Sequence, residues 1–486
     1  MFLGVDLGTS SVKAVLVDEA GLTRAETGAP LRVSRPQLLW SEQDPLDWVA
    51  AAEKAVAALP LDLRAAVKGV GLSGQMHGAT LLGDDDAPLR PAILWNDGRA
   101  HAECAELERS EPNLRAITGN KAMPGFTAPK LAWVRRHEPR VFERVRKVLL
   151  PKDYLRLAWT GDYATDVSDA SGTLWLDVAQ RSWSERALAA TSLSIDHMPA
   201  LFEGSAATGT LSASAAARLG LKRIPVAAGG GDQAAGAVGA GVIAPGDASL
   251  ALGTSGVLFI VTAGFRPNPD EAAHAFCHAL PNRWHQMAVL LNAASAVDWA
   301  ASVTGFASPA AGYAASEAAG SSGGVQFLPY LTGERTPHDD PHACGVFFGM
   351  RLDTTAAMLV HAAMEGVAFA FADGRDALAR AGGQCERATV IGGGARSTYW
   401  GKILAAALDL PLTYCAGAET GPAHGAARLA RLAVTGEEPA SVCGRGAAIT
   451  VIEPDAALRS RYVERLARWR ELYRRTRVLM PHGADT

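Results

Sequence analysis

Two aspartates stand where an apolar run meets a glycine-bearing turn, and both could serve a reaction on a phosphate. Asp6 follows the run Phe2 to Val5 and directly precedes Leu7-Gly8-Thr9-Ser10-Ser11. A carboxylate there could hold a hydrated Mg²⁺, which keeps several waters and takes one or two carboxylates. It could also simply accept hydrogen bonds from the turn amides. Asp232 follows Gly229-Gly230-Gly231 after the apolar run Ile224 to Ala228. It reads equally as a base delivered to a cleft by glycines that let ligands approach, or as the N-cap of a following helix. The first turn recurs: Leu252-Gly253-Thr254-Ser255-Gly256-Val257 repeats Leu7-Gly8-Thr9-Ser10-Ser11-Val12 at an offset of 245 residues, half the chain. A second triple glycine, Gly392-Gly393-Gly394, follows Thr389 to Ile391. Backbone N–H groups and small hydroxyls in such turns can surround phosphate oxygens. Any one of them is an ordinary tight turn. Placed at strand ends in both halves, they point to a nucleotide cleft between two related domains.

Other chemistries fit less well. A Walker-type loop needs Gly-Lys followed by Ser or Thr, and that tripeptide is absent. The dinucleotide fingerprint is only approached near Gly239-Ala240-Gly241, without a proper strand before it. His274 and His278, four apart, would share one face of a helix and could ligate a metal. They lack an intervening Glu at the required place and an evident third ligand, so two polar or packing histidines near the cleft is the preferred reading.

The elements that must position these residues follow from pattern. Phe2 to Val5 and Val12 to Val17 read as a hairpin around the Gly8–Ser11 turn, with a third extended run after Gly21. Ser249 to Thr262 repeats the arrangement. Asp44 to Leu59 predicts a helix with Pro45 in its first turn. Val67 to Leu72 predicts a strand leading into Ser73-Gly74-Gln75-Met76-His77-Gly78, and a helix is expected from Ser397. Strand, glycine turn and helix recur, which is α/β architecture. Pro245-Gly246-Asp247 is the best boundary between halves. The Arg-rich stretch Ala457 to Met480 reads as a solvated helix packed on the body. At 486 residues and 48% hydrophobic, the chain has ample material for buried cores, and its net charge of −4 gives no reason to expect nucleic acid or an anionic membrane as partner. Six scattered cysteines without a C-x-x-C pair fit a reduced cytoplasmic protein. The N-terminus shows neither a basic region nor an unbroken apolar stretch, so no signal peptide is expected, and no run of 18 apolar residues predicts a membrane span.

With those residues in view, the chain resembles the FGGY family of carbohydrate kinases, in the superfamily of sugar kinases, heat-shock ATPases and actin. The matching segments are Asp6 to Ser10, Ser73 to Gly78, Ile93 to Arg99, Gly125 to His137, Gly229 to Gly236, Leu252 to Gly256, Leu331 to Pro337 and Gly392 to Ser397. The resemblance implies two actin-like (ribonuclease H-like) α/β domains related by duplication. Residues 1–244 would form the sugar-binding side and 245–486 the nucleotide-binding side, with the active site between them. It further implies ATP-dependent phosphorylation of a small sugar, D-xylulose to its 5-phosphate before ribulose or glycerol. Asp232 would be the base on the terminal hydroxyl, and Met76, His77, Asp232 and Gln233 would contact the sugar. Asp6 would be catalytic through Mg²⁺–ATP. Gly8, Thr9, Gly253 and Thr254 would flank the phosphates, and Gly393, Gly394 and Ser397 would border the adenosine. A sugar and ATP are then the partners, with room for a homodimer. Two positions depart from the family pattern: Gln233 stands where Asn is more usual, and Met358 where a polar residue is typical. The pattern does not say whether the Phe327–Gly349 loop touches substrate or only packs.

Overall fold

The computed structural model describes residues 1–417 and 421–480, and only the backbone of 395 and 396. The first half builds one sheet from β1 (Phe2–Leu7), β2 (Ser11–Val17), β3 (Thr23–Pro30), β4 (Val70–Gly74), β5 (Ala207–Thr210), β6 (Pro225–Ala227) and β7 (Gly230–Gly231), in the order β5-β6-β4-β1-β2-β3 with β7 also on β4. The second half builds another from β8 (Ala248–Leu252), β9 (Gly256–Thr262), β10 (His274–Cys277), β11 (Trp284–Leu290), β12 (Ala388–Ile391), β13 (Leu412–Cys415) and β14 (Ala448–Ile452), ordered β10-β11-β9-β8-β12-β13-β14. The two share one plan. An antiparallel meander begins at β1 or β8, two parallel strands follow on its other side, and an antiparallel edge strand closes the sheet. That supports duplication beyond the shared Leu-Gly-Thr-Ser tetrapeptide. The copies are not identical: four residues separate the paired Leu7 and Val12, but three separate the paired Leu252 and Gly256.

Central strands such as β1 read as continuous apolar runs because both faces are covered. Helix α1 (Pro45–Ala57) starts as expected, with Pro45 at its first position and the Asp44 side chain accepting from Leu46 N. Its Trp48, Ala51, Ala52, Ala55 and Val56 recur at helical spacing and bury against β2 and β3. Further on come α2 (Pro151–Thr160) and α3 (Asp232–Gly239). In the second half, α4 (Ala356–Arg380) is long and apolar enough in composition to cross a bilayer, but it is buried from Val360 to Gly374 as the central helix on β11 and β9. After it come α5 (Thr398–Leu408), α6 (Gly421–Thr435) and α7 (Ala456–Thr476). The arginines of α7 are largely satisfied by carboxylates, Arg465 by Glu365 and Arg470 by Asp373 and Asp376, while Tyr462, Trp469 and Tyr473 enter the second core. The packed-helix reading of that stretch holds.

Helix α6 crosses back. It follows β13 of the second sheet yet lies on β1 and β4 of the first and against α3. The approach is close enough to require glycine. A Cβ on Gly4 would sit 1.8 Å from Ala423 O, on Gly71 1.9 Å from Ala426 O, and on Gly425 1.8 Å from Ala235 O. Each half keeps its own core, and a third cluster joins them, with Met76 and Phe126 from the first half packed with Phe259, Phe276 and Met287 from the second.

Candidate active site

Both aspartates sit at the carboxyl ends of parallel strands that flank β4. Asp6 on β1 pairs in register with Ser73 on β4, which pairs with Gly230 on β7. Strands lie about 4.8 Å apart, so β1 and β7 are roughly 10 Å apart, with Asp6 near the end of one and Asp232 just past the other. Asp232 is the first helical residue of α3, and Gly231 occupies the cap position. Its Oδ1 accepts from the adjacent Gln233 N at 2.7 Å. It is therefore not the helix cap that its sequence position also allowed. Burial first, and then the Asp6 charge, raise the Asp232 carboxyl to about 7. Burial likewise raises Asp6 to about 6, against the opposing influence of Ser73 and Lys13. Asp6 Oδ1 is buried and has no hydrogen-bond partner among the described residues.

A buried carboxylate oxygen without a donor, facing a second carboxylate that repels it, is chemistry that a divalent cation relieves. Among the described residues no three His, Cys, Asp or Glu side chains form a metal cage. Mg²⁺ does not need one, because waters and phosphates complete its shell. Asp6 fits that use.

The loop after β4 carries Met76 and His77. His77 adopts a left-handed backbone, φ 69°, which costs a non-glycine residue about 1–3 kcal/mol and persists here because its surroundings fix it. Its carbonyl accepts from Lys130 Nζ at 2.9 Å and Thr127 Oγ1 at 3.1 Å. Its Nδ1 lies 2.6 Å from Gly172 O, and its ring packs edge-on against Phe126. Burial pushes the imidazole down to about 3, so it is neutral. A carbonyl can only accept, so Nδ1 carries the proton and Nε2 is left as an acceptor. Met76 wedges between two glycines: a Cβ on Gly172 would lie 2.9 Å from Met76 Cε, and one on Gly231 2.9 Å from Met76 Cγ. The structure thus brings Met76, His77, Asp232 and Gln233 to one end of the first sheet.

His274 and His278 do not share a helix. His274 lies in β10, its Nδ1 2.9 Å from Asn120 Oδ1, and its ring stacks on Phe276. Short alternating runs such as His-Ala-Phe-Cys cannot be told from a helical turn by spacing alone. The Phe327–Gly349 loop does more than pack within its own half. Asp339 pairs with Lys121 of the first half, while within its own half Arg335 Nη1 lies 3.4 Å from His274 Nε2.

The two hairpin turns differ in what they offer. The Thr9 hydroxyl donates to Gln75 Oε1 and accepts from Trp95 Nε1, while Gln43 Nε2 donates to Thr9 O. Thr9 is therefore tied into its own half through both its hydroxyl and its carbonyl. Thr254 is exposed, and its carbonyl accepts from Ala293 N and from Ser295 Oγ. The Gly392–Gly394 turn lies on the same strand end, where a Cβ on Gly394 would come 2.9 Å from Leu252 Cβ. Gly253, Thr254, Gly393 and Gly394 are thus brought together. Ser397 is the N-cap of α5, its side chain accepting from Trp400 N.

The FGGY carbohydrate-kinase N-terminal domain model matches residues 1–239 and the C-terminal domain model residues 248–434. The chain belongs to the FGGY family of carbohydrate kinases. This FGGY kinase is 54% identical to the xylulose kinase of Escherichia coli (strain K12), over 90% of this chain and 91% of that one. It is 55% identical to the Klebsiella pneumoniae xylulose kinase over the same shares. A crystal structure of a Brucella ovis "xyloylose kinase" superposes with a TM-score of 0.94 at 48% identity, covering 98% of this chain and 99% of that one. The fold extends to a Plasmodium falciparum glycerol kinase with ADP, TM-score 0.88 at 20% identity, covering 98% and 97%. A carbohydrate kinase of this family uses ATP as its phosphoryl donor. Sequence reasoning on the FGGY kinase missed Gly172, Lys130 and Arg335 as parts of the site's wall, while His274 is, as expected, a packing histidine near the cleft. Lys130 had a signal, the lone lysine of the Gly125–His137 segment that matches the family.

Proposed function

We propose that this FGGY kinase transfers the terminal phosphoryl group of ATP to D-xylulose, giving D-xylulose 5-phosphate, with Asp232 as general base. The observation that carries the role of Asp232 is its cleft-end carboxyl, beside Met76 and His77 and held near 7. A base works best when its pKa lies near the operating pH. Phosphoryl transfer is chiefly positioning and charge stabilisation, so one aligned base among phosphate-facing amides suffices. The choice of xylulose rests on the 54–55% identity to xylulose kinases.

Asp232 takes the proton of the sugar's terminal hydroxyl as that oxygen attacks the phosphoryl group. His77, neutral and with Nε2 free to accept, orients a second sugar hydroxyl, and Met76 covers its apolar edge. Gly8, Thr9, Gly253 and Thr254 flank the phosphates, the Thr9 and Thr254 amides facing them while the Gly8 and Gly253 amides close the turns onto Ser11 O and Ser255 O, and Gly393, Gly394 and Ser397 border the adenosine. Mg²⁺ held through Asp6 would neutralise phosphate charge. We place the boundary between the two functional halves at residues 244 and 245. The six free cysteines suit a reducing, cytoplasmic compartment.

The test is sugar-dependent ADP release across D-xylulose, L-xylulose, D-ribulose, L-ribulose, glycerol and gluconate, against a blank without sugar. A clear preference for D-xylulose is expected. Preference for another acceptor would overturn the substrate and draw attention to Gln233, and release equal to the blank throughout would overturn the whole set.

A further inference from the structure

Behind the Asp232 turn lies a buried group of ions that the proposed reaction does not use. Lys152 Nζ lies 2.6 Å from Asp153 Oδ1, 2.8 Å from Asp166 Oδ1 and 3.2 Å from Asp169 Oδ2, and none of the four side chains touches solvent. Arg156, one turn along α2, is equally buried and donates to Thr208 Oγ1 and Ala228 O. Charges removed from water this completely are weak evidence for stability, since their desolvation offsets most of their attraction. Their contacts lead towards the cleft. Asp166 caps the short helix Val167–Ala170, its Oδ2 accepting from Ser168 N at 2.8 Å and from the Ser168 hydroxyl. With its only proton given to Asp166, Ser168 Oγ accepts from Gly231 N at 3.2 Å. Gly231 immediately precedes Asp232.

The same segment braces the sugar side. Gly172 O receives the His77 ring, and a Cβ on Gly78 would lie 2.5 Å from Pro151 Cγ at the start of α2. Three successive glycines, Gly229 to Gly231, have no side chains to hold their own conformation, so the direction of Asp232 must be set from outside.

We infer that Ser168 is a positioning residue for Asp232: its hydroxyl, anchored by Asp166 and Lys152, fixes the Gly231 amide and so the direction in which α3 presents its first carboxylate. The inference rests on the reading of Asp232 as base. Asp6 on β1 is the charge that acts on that carboxylate, whereas Asp166, Lys152, Asp153 and Asp169 are linked to it through Ser168 and the Gly231 amide.

The full chain carrying Ser168→Ala is assayed for kcat and for KM of D-xylulose and ATP. Turnover is expressed per nucleotide site counted by ADP titration, so that unfolded protein drops out. Displacing a catalytic group by an ångström can cost 10²-fold, so a loss of about tenfold or more in kcat per site is expected, with the KM for ATP within about twofold of wild type. A kcat per site within about twofold of wild type, or a loss matched by an equal loss of ATP affinity, would overturn the inference. Should the alanine variant fail to fold, Ser168→Cys keeps the volume while weakening the acceptor, and is judged by the same criteria. Asp232→Asn is measured alongside. If it retains turnover, the base reading fails, and if it loses turnover while Ser168→Ala does not, only the positioning role fails.

Discussion

Replacing Asp232 by asparagine should make the enzyme inactive and, above neutral pH, more stable. The Asp232 carboxyl rises from an ordinary 3.8 to about 7 in the folded chain, through burial first and the Asp6 charge second. A folded-state value above the unfolded one means that the native state binds this proton more tightly, so ionising the group destabilises the fold. That cost is absent below about pH 4, grows as pH climbs towards 7, and is complete above it. Each pH unit between the two values is worth about 1.4 kcal/mol, so roughly three units bound the effect at about 4 kcal/mol. Asp232 is only part-buried by surface, and cleft water screens it, which brings the expected gain to about 1–2 kcal/mol. Asparagine keeps the shape and cannot ionise. At pH 8 the variant should therefore melt several degrees higher, at about 2–4 °C per kcal/mol for a domain of this size. At pH 5 the gap should shrink. Turnover should fall by about 10²–10⁴-fold, the usual contribution of a positioned base, while ADP still binds. Thermal midpoints at the two pH values, beside sugar-dependent ADP release, read both effects. A stability gap that does not widen between pH 5 and pH 8 would refute the electrostatic argument, and near-normal turnover would refute the base.

His77→Ala removes the neutral acceptor and should raise the sugar KM by about tenfold, the worth of one good hydrogen bond, with the KM for ATP unmoved. An unchanged sugar KM would make His77 structural. Sugar-dependent turnover should fall about tenfold per pH unit below about pH 7 as Asp232 takes up its proton, and a profile flat down to pH 5 would contradict that assignment. Gly425→Ala places a methyl where Ala235 O lies 1.8 Å away, so α3 and α6 must separate at a cost of about 1–3 kcal/mol. A thermal midpoint equal to wild type would mean that the helices are not packed this tightly.

Much of the fold was legible because it is local. The Gly8–Ser11 hairpin, the Pro45 start of α1, the Ser397 cap and the strand ends before each triple glycine all depend on neighbours in sequence, and they fall where pattern placed them. What sequence did not show depends on residues far apart in the chain. Nothing near Gly4 or Gly71 announces that a helix some 350–420 residues later will press on them. The left-handed His77 is paid for by Lys130, Thr127 and Gly172, three residues with no periodic relation to it. The site shows the same division. Asp and Gly-Thr could be read from the residues themselves and Met-His only through the family resemblance, but Thr9 proved to be tied to Gln75 and Trp95, and Asp232 to lie one residue inside its helix rather than at the cap. That last displacement has a consequence for mechanism. A cap carboxylate is spent on the amides of its own helix, which lowers its basicity. As the first helical residue, Asp232 accepts from Gln233 alone among the described residues, through its backbone amide and its side chain, which leaves the lone pair that the proposed base role needs. The third glycine is what moves it there: Gly231 fills the cap position, and the backbone held at Gly231 decides where the freed carboxylate points.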